Sequence, residues 1–178
     1  LKWVLTDQEK FLCQKEIDLK FIILLCLLLV HNIHASISNE LNNFFNSDLK
    51  FIQTSLNQTK NSFDESEGIF KRLTNNDINV EVVSPFKEKY ILTKEYIEIH
   101  DLEFDQIKKI TKEEYKNNLF ISYLINGFDE KNIARTDQNA FVIDNGSKKY
   151  QFKYVNKNTL QVRFKDNMDV TNIIKFYK

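Results

Sequence analysis

Apolar and polar residues alternate strictly at Ile78-Asn79-Val80-Glu81-Val82, Tyr150-Gln151-Phe152-Lys153-Tyr154 and Leu160-Gln161-Val162-Arg163-Phe164. This period of two constrains the fold more than any other feature of the chain. Successive side chains of a strand point to opposite faces, so each stretch predicts a strand with one buried and one wet face. Composition agrees: Phe and Tyr number 15 and 7, against three Gly, one Pro and one Trp, and aromatic residues favour strands. Asp144-Asn145-Gly146, Asn156-Lys157-Asn158 and Asp166-Asn167 separate the apolar stretches as hairpin connections would. From about Ile133 to the final Val170–Tyr177 segment the chain therefore predicts an antiparallel meander.

Two segments carry a helical period instead. Leu41, Phe44, Phe45, Leu49 and Ile52 recur at helical spacing after Ser38, a candidate N-cap, which predicts an amphipathic helix from about Asn39 to Ile52. Thr111 followed by Glu114 is a capping-box pattern. Tyr115, Leu119, Phe120, Tyr123 and Leu124 then form an apolar stripe with Gly127 beyond it, predicting a second helix over Lys112–Ile125. An antiparallel sheet facing two aromatic helices encloses either a packed core or an apolar cavity.

Upstream of these elements, Phe21 to Val30 (FIILLCLLLV) is preceded by Lys20 and followed by Ile33-His34-Ala35. The run has signal-peptide length, and Ile33 and Ala35 occupy the minus-three and minus-one positions of an A-x-A-like cleavage site, with the cut expected after Ala35. A membrane helix needs about 20 apolar residues, so a signal anchor or a buried helix is the weaker alternative. Residues 1–18 mix Lys with Asp and Glu without net positive charge. They read as an upstream extension, with translation starting at the codon for Leu19, residues 19–35 as signal, and 36–178 as one exported domain long enough to bury a core. Both cysteines, Cys13 and Cys26, precede the expected cut, which leaves the domain without thiols or disulfides. Leu25 before Cys26 is not the small residue that lipid attachment requires.

The charge balance is zero, and the first 35 residues hold four lysines and four carboxylates, so their loss leaves it at zero. That argues against nucleic acid and against electrostatic attachment to anionic lipid. Catalytic parts are scarce. His100 is the single histidine after residue 35, and no Gly-rich phosphate loop occurs, so nucleophilic triads, zinc sites and nucleotide loops lack their components. The acidic stretch His100–Asp105 has neither the central Gly nor the distal Glu of a calcium loop and reads as a solvated strand connection. The expectation is no enzyme, no cofactor and no metal. An enzyme built on Asp101 and Asp105 beside His100 would need the two carboxylates to converge in a cleft.

The order of segments resembles a known family. Phe51 to Gln58, Gly68-Ile69-Phe70-Lys71, Ile78 to Val82 and Ser84-Pro85-Phe86 come first. Ile97–Asp101, Asp105-Gln106-Ile107 and Asn117-Asn118-Leu119-Phe120 follow, and Arg163–Asn167 and Asn172–Phe176 close the series. This succession is similar to that of the periplasmic outer-membrane lipoprotein carrier family, LolA, over most of residues 36–178. Three positions depart from the pattern: the family's Arg-Pro pair falls on Thr74-Asn75, its strand Trp on Val80 and its lid proline on Leu119.

The resemblance implies an α+β domain, an antiparallel unclosed β half-barrel covered by N-terminal and lid α-helices. It implies a periplasmic monomer, not an enzyme, that shields the acyl chains of lipoproteins in an apolar cavity on the way from the inner to the outer membrane. The implied partners are acylated lipoproteins, an inner-membrane ABC-type lipoprotein release complex and an outer-membrane lipoprotein receptor like LolB. Phe44, Phe45, Phe70, Ile78, Val80, Val82, Phe120, Tyr123 and Leu124 are the candidate lipid-binding residues. A lid latch falls on Thr74 by position, or on Arg72 on the same strand face. The other reading is a secreted β-rich interaction or structural domain with a packed core and no lipid cargo.

Overall fold

The computed structural model describes residues 36–57, 61–144, 146, 148–166 and 168–178. The expected upstream extension and signal, residues 1–35, lie outside the described residues. Residues 36–178 form one compact unit.

Eleven strands make a single antiparallel sheet among the described residues. In chain order they are β1 (Leu49–Asn57), β2 (Ser62–Arg72), β3 (Ile78–Ser84), β4 (Glu88–Leu92), β5 (Tyr96–Asp101), β6 (Gln106–Thr111), β7 (Ile133–Asp137), β8 (Ala140–Asp144), β9 (Lys149–Asn156), β10 (Thr159–Lys165) and β11 (Thr171–Tyr177). The spatial order is β6-β5-β4-β3-β2-β1-β11-β10-β9-β8-β7. Two meanders, β1 to β6 and β7 to β11, are therefore joined by the one long-range pairing of β1 with β11, where Phe51 faces Phe176 and Gln53 faces Ile174. The predicted alternation of burial holds in β9 and β10, whereas in β3 only Ile78 is buried and Asn79 to Val82 are all half-buried. Leu160 and Val162 are fully buried while Arg163 between Val162 and Phe164 is exposed. β6 and β7 remain as unpaired edges, so the sheet is open. Edge strand β6 carries Lys108 and Lys109, charges that oppose further strand addition.

Three short helices complete the described structure: α1 (Ile37–Phe45), α2 (Lys112–Tyr115) and α3 (Leu119–Asn126). Both helix expectations are corrected in extent. The first helix ends at Asn46, its C-cap, and Leu49–Asn57 instead forms β1, bonded on both sides. Pairing with β2 along its length and with β11 from Lys50 to Ser55 gives this segment's backbone groups partners, which a longer surface helix would not improve. Ser36 rather than Ser38 is the N-cap, and Ser38 lies buried inside the helix. The second helix is broken at 116–118, where Asn118 starts a new N-cap by accepting from the Ile121 amide at 3.2 Å. Its expected start is correct: the Glu114 carboxylate accepts from the Thr111 backbone N–H at 2.7 Å and from its hydroxyl at 2.9 Å, and the two bonds hold its pKa below the usual carboxylate range. Gly127 ends α3 with φ +92°, a conformation that glycine adopts without strain.

These lengths overturn the expected fold class. Eleven strands against helices of nine, four and eight residues make the domain mainly β, an open antiparallel sheet, rather than an α+β half-barrel covered by helices.

The core is aromatic and lies between the helices and the inner face of the sheet. Phe45 of α1 meets Phe70, Phe120, Phe128 and Phe176 with ring centroids 5.1 to 6.1 Å apart. Tyr123 stacks on Phe128 at 5.3 Å. The Asn42 side chain fixes this layer by bonding both backbone groups of Phe128, donating to its carbonyl at 3.0 Å and accepting from its amide at 2.8 Å.

Candidate functional site

Packing is incomplete beside the Phe45 cluster. A cavity of about 430 Å³ opens between α3 and the inner faces of β1 to β5 and β11. Phe120, Ile121 and Leu124 of α3 form one wall. Phe51, Phe70, Val80, Val82, Tyr90, Leu92, Ile97, Ile174 and Phe176 form the other. Gln53, Ser66, Pro85, Phe86 and Glu88 complete the lining. The registers explain the convergence: Phe70 faces Val80 and Val80 faces Tyr90, one inward position per strand across β2 to β4, and Leu92 faces Ile97 in the neighbouring row.

The volume decides what can enter. An apolar cavity of about 150 Å³ stays dry and takes up one benzene ring, and ligand pockets span roughly 300–1,000 Å³. The observed space therefore suits an apolar group larger than one ring. A second concavity of about 670 Å³ adjoins β9 to β11, but Lys148, Lys149, Arg163, Lys165, Asp166 and Asp169 line it, and Lys165 and Asp169 already pair there at 2.8 Å. Its charges of both signs do not define a ligand.

Of the expected lipid-binding residues, Phe70, Val80, Val82, Phe120 and Leu124 line the cavity. Phe44, Phe45, Ile78 and Tyr123 do not: Phe45 and Ile78 are fully buried core residues, Phe44 packs edge-on against Phe45 and Tyr154, and Tyr123 stacks on Phe128. Residues of β1, β4, β5 and β11 were missed, although the alternation of Ile97-Glu98-Ile99 could have marked Ile97 as inward-facing.

Arg72, at the end of β2, donates to the Leu124 carbonyl of α3 at 2.7 Å, to the Phe45 carbonyl of α1 at 3.4 Å and to the Asn76 carbonyl at 3.1 Å. Burial lowers its pKa below the ordinary value. Thr74 lies exposed in the following turn.

Compared with protein-family models and with curated proteins, the chain matches none. The cavity and its polar groups therefore carry the functional argument.

One ionisable pair sits in the lining. The Tyr90 hydroxyl donates to the Glu88 carboxylate at 2.5 Å, and burial, the hydrogen bond and the charge of Glu88 all raise the phenol's pKa. Beyond the lining, His100 contacts Glu98 at 3.3 Å. Asp101 turns its carboxylate to the backbone amides of Glu103 and Phe104, and Asp105 occupies the same turn with φ +53°. No group of three or more metal-ligating side chains occurs among the described residues. No helix among them is long and apolar enough to cross a membrane.

Proposed function

We propose that the domain binds an acyl chain in the cavity between α3 and the sheet and acts as a carrier for acylated molecules. The observation that supports this most directly is an unfilled apolar space of about 430 Å³ beside an otherwise densely packed aromatic core. Each methylene moved from water into such a space contributes about 0.8 kcal/mol. An acyl chain is held by the sum of such contributions without catalysis, with α3 as one wall of its site.

The finer reading, motivated by the segment order that resembles the lipoprotein carriers, is that the cargo is the acylated end of a lipoprotein crossing the periplasm. An inner-membrane ABC-type complex would load it, and an outer-membrane receptor like LolB would receive it. On this reading Arg72 takes the latch role, since its guanidinium joins the sheet to α3.

Photo-crosslinking from position 120 tests both levels. A crosslinker in place of Phe120 is expected to capture acyl chains, and acylated proteins in particular when the protein is recovered from the periplasm. Capture of free lipid alone would remove the lipoprotein reading. No lipid by crosslinking or by native mass spectrometry would leave the interaction domain with a packed core.

A further inference from the structure

The cavity wall changes chemistry along the strands. Phe51 on β1 and Phe70 on β2 give way, along the same inner face, to Gln53 and Ser66; Leu92 and Tyr90 on β4 give way to Glu88. Antiparallel order puts the end of β1, the start of β2, the end of β3 and the start of β4 at one end of the sheet. The polar positions Gln53, Ser66 and Glu88 therefore gather at one end of the cavity, beside Pro85 and Phe86 of the β3–β4 turn, and Phe70, Leu92 and Ile97 lie toward the other. Gln53 is held there by donating to Asn172 at 3.2 Å and to Ser55 at 3.3 Å. Both bonds use its Nε2, which leaves its amide oxygen as an acceptor among the described contacts. Ser66 supplies a hydroxyl that both donates and accepts.

The lining contains one carboxylate, Glu88, and no lysine, arginine or histidine. We propose that this end of the cavity selects acyl amphiphiles with an uncharged, hydrogen-bonding head, such as an ester or amide of a hydroxylated group, over those ending in a free carboxylate or phosphate. The inference rests on the acyl-binding reading above. An anionic head brought beside Glu88 meets like charge in a partly desolvated site with no countercharge. A glyceryl or amide head instead finds the amide oxygen of Gln53 and the hydroxyl of Ser66. The other end takes the tail of either ligand, so head chemistry alone sets the preference.

The test is displacement of the neutral dye N-phenylnaphthylamine from the full chain by monododecanoylglycerol, dodecanoate and dodecyl phosphate at mildly alkaline pH, each below its micellar concentration. The glyceride is expected to compete at least about tenfold more tightly than either anion. Glu88→Gln, which removes the like charge, should narrow that gap by tightening the two anions. Ser66→Lys, which adds an ammonium at the polar end, should bring the anions level with the glyceride. Equal competition by all three ligands against the unsubstituted chain would overturn head selection and leave acyl binding intact. An unchanged gap in both variants would overturn the assignment to this end of the cavity. If neither the dye nor any titrant binds, acyl binding and head selection fall together.

Discussion

Arg72 Nη2 lies 2.7 Å from the carbonyl oxygen of Leu124, so a residue at the end of β2 holds the last turn of α3. Its Nε reaches the Phe45 carbonyl, in the last turn of α1, at 3.4 Å. The final carbonyls of a helix lack intrahelical partners and carry the negative end of its dipole. One guanidinium thus serves the C-termini of both helices that border the aromatic core. Charged hydrogen bonds of this kind contribute about 1.5–3 kcal/mol. Arg72→Ala is expected to cost about 2 kcal/mol and to raise amide exchange across Leu119–Asn126, while Arg72→Lys, with a single ammonium for a fork of donors, recovers only part of it. Unchanged exchange in Arg72→Ala would remove the latch.

Gly68 sits on the inner face opposite Phe51, at a register shift between β2 and β3. A Cβ there would come within 2.1 Å of the Glu81 carbonyl and 2.7 Å of the Phe51 ring. Gly68→Ala must therefore displace the β3 backbone as well as a ring that lines the cavity, at a cost of roughly 1–3 kcal/mol. Thermal unfolding should show that loss. Adding Phe51→Ala should not restore stability, because the closer contact is to backbone.

Much of the sheet was legible because alternation is a local property. Val80 and Val82, or Leu160 and Val162, declare their shared face without reference to the rest of the chain. The end of α1 was not legible. Leu49 lies four residues after Phe45, a helical spacing, yet it also begins the inward series Leu49, Phe51 of β1. No Gly or Pro marks the break at 46–48. The site was half legible for a related reason. Inward direction can be read from sequence, but whether an inward residue meets a helix or a void depends on where α1 and α3 rest. Ile78 and Val80 share one face of β3. Ile78 is completely buried, whereas Val80 borders open space.

Tyr154 links stability to alkaline pH. Its hydroxyl lies 3.4 Å from the Glu40 carbonyl, and burial followed by the charge of Glu40 pushes its pKa up to about 12 from the ordinary 10.0. A group with a raised folded pKa contributes stability that is complete below its unfolded value and declines as pH rises through the folded one. The denaturation midpoint should hold to about pH 10 and fall toward about pH 12. Tyr90, whose pKa burial and Glu88 also raise, steepens the same decline. Tyr154→Phe should flatten it in part, with one late-titrating phenol missing from the tyrosinate absorbance. A midpoint falling well below pH 10 would contradict a buried, protonated Tyr154.

Cavity walls and core walls respond oppositely to a change of volume, and that difference separates the carrier reading from a filled domain. Val80 borders about 430 Å³ of open space and is only partly buried. Val80→Trp is therefore expected to place its ring in that space with little loss of stability and to abolish binding of the neutral dye. Phe45 is 1 % exposed among five aromatic neighbours. Phe45→Ala should cost about 3–5 kcal/mol, since the surrounding rings cannot collapse fully into the vacated volume. Leu124→Ala lies between the two cases: it weakens the α3 wall but enlarges the cavity, so stability falls while dye binding persists. Overpacking in a solid interior costs about 1–3 kcal/mol. A large destabilisation by Val80→Trp, equal to that of Phe45→Ala, would mean that no such space exists in solution and that β3 packs against a filled interior.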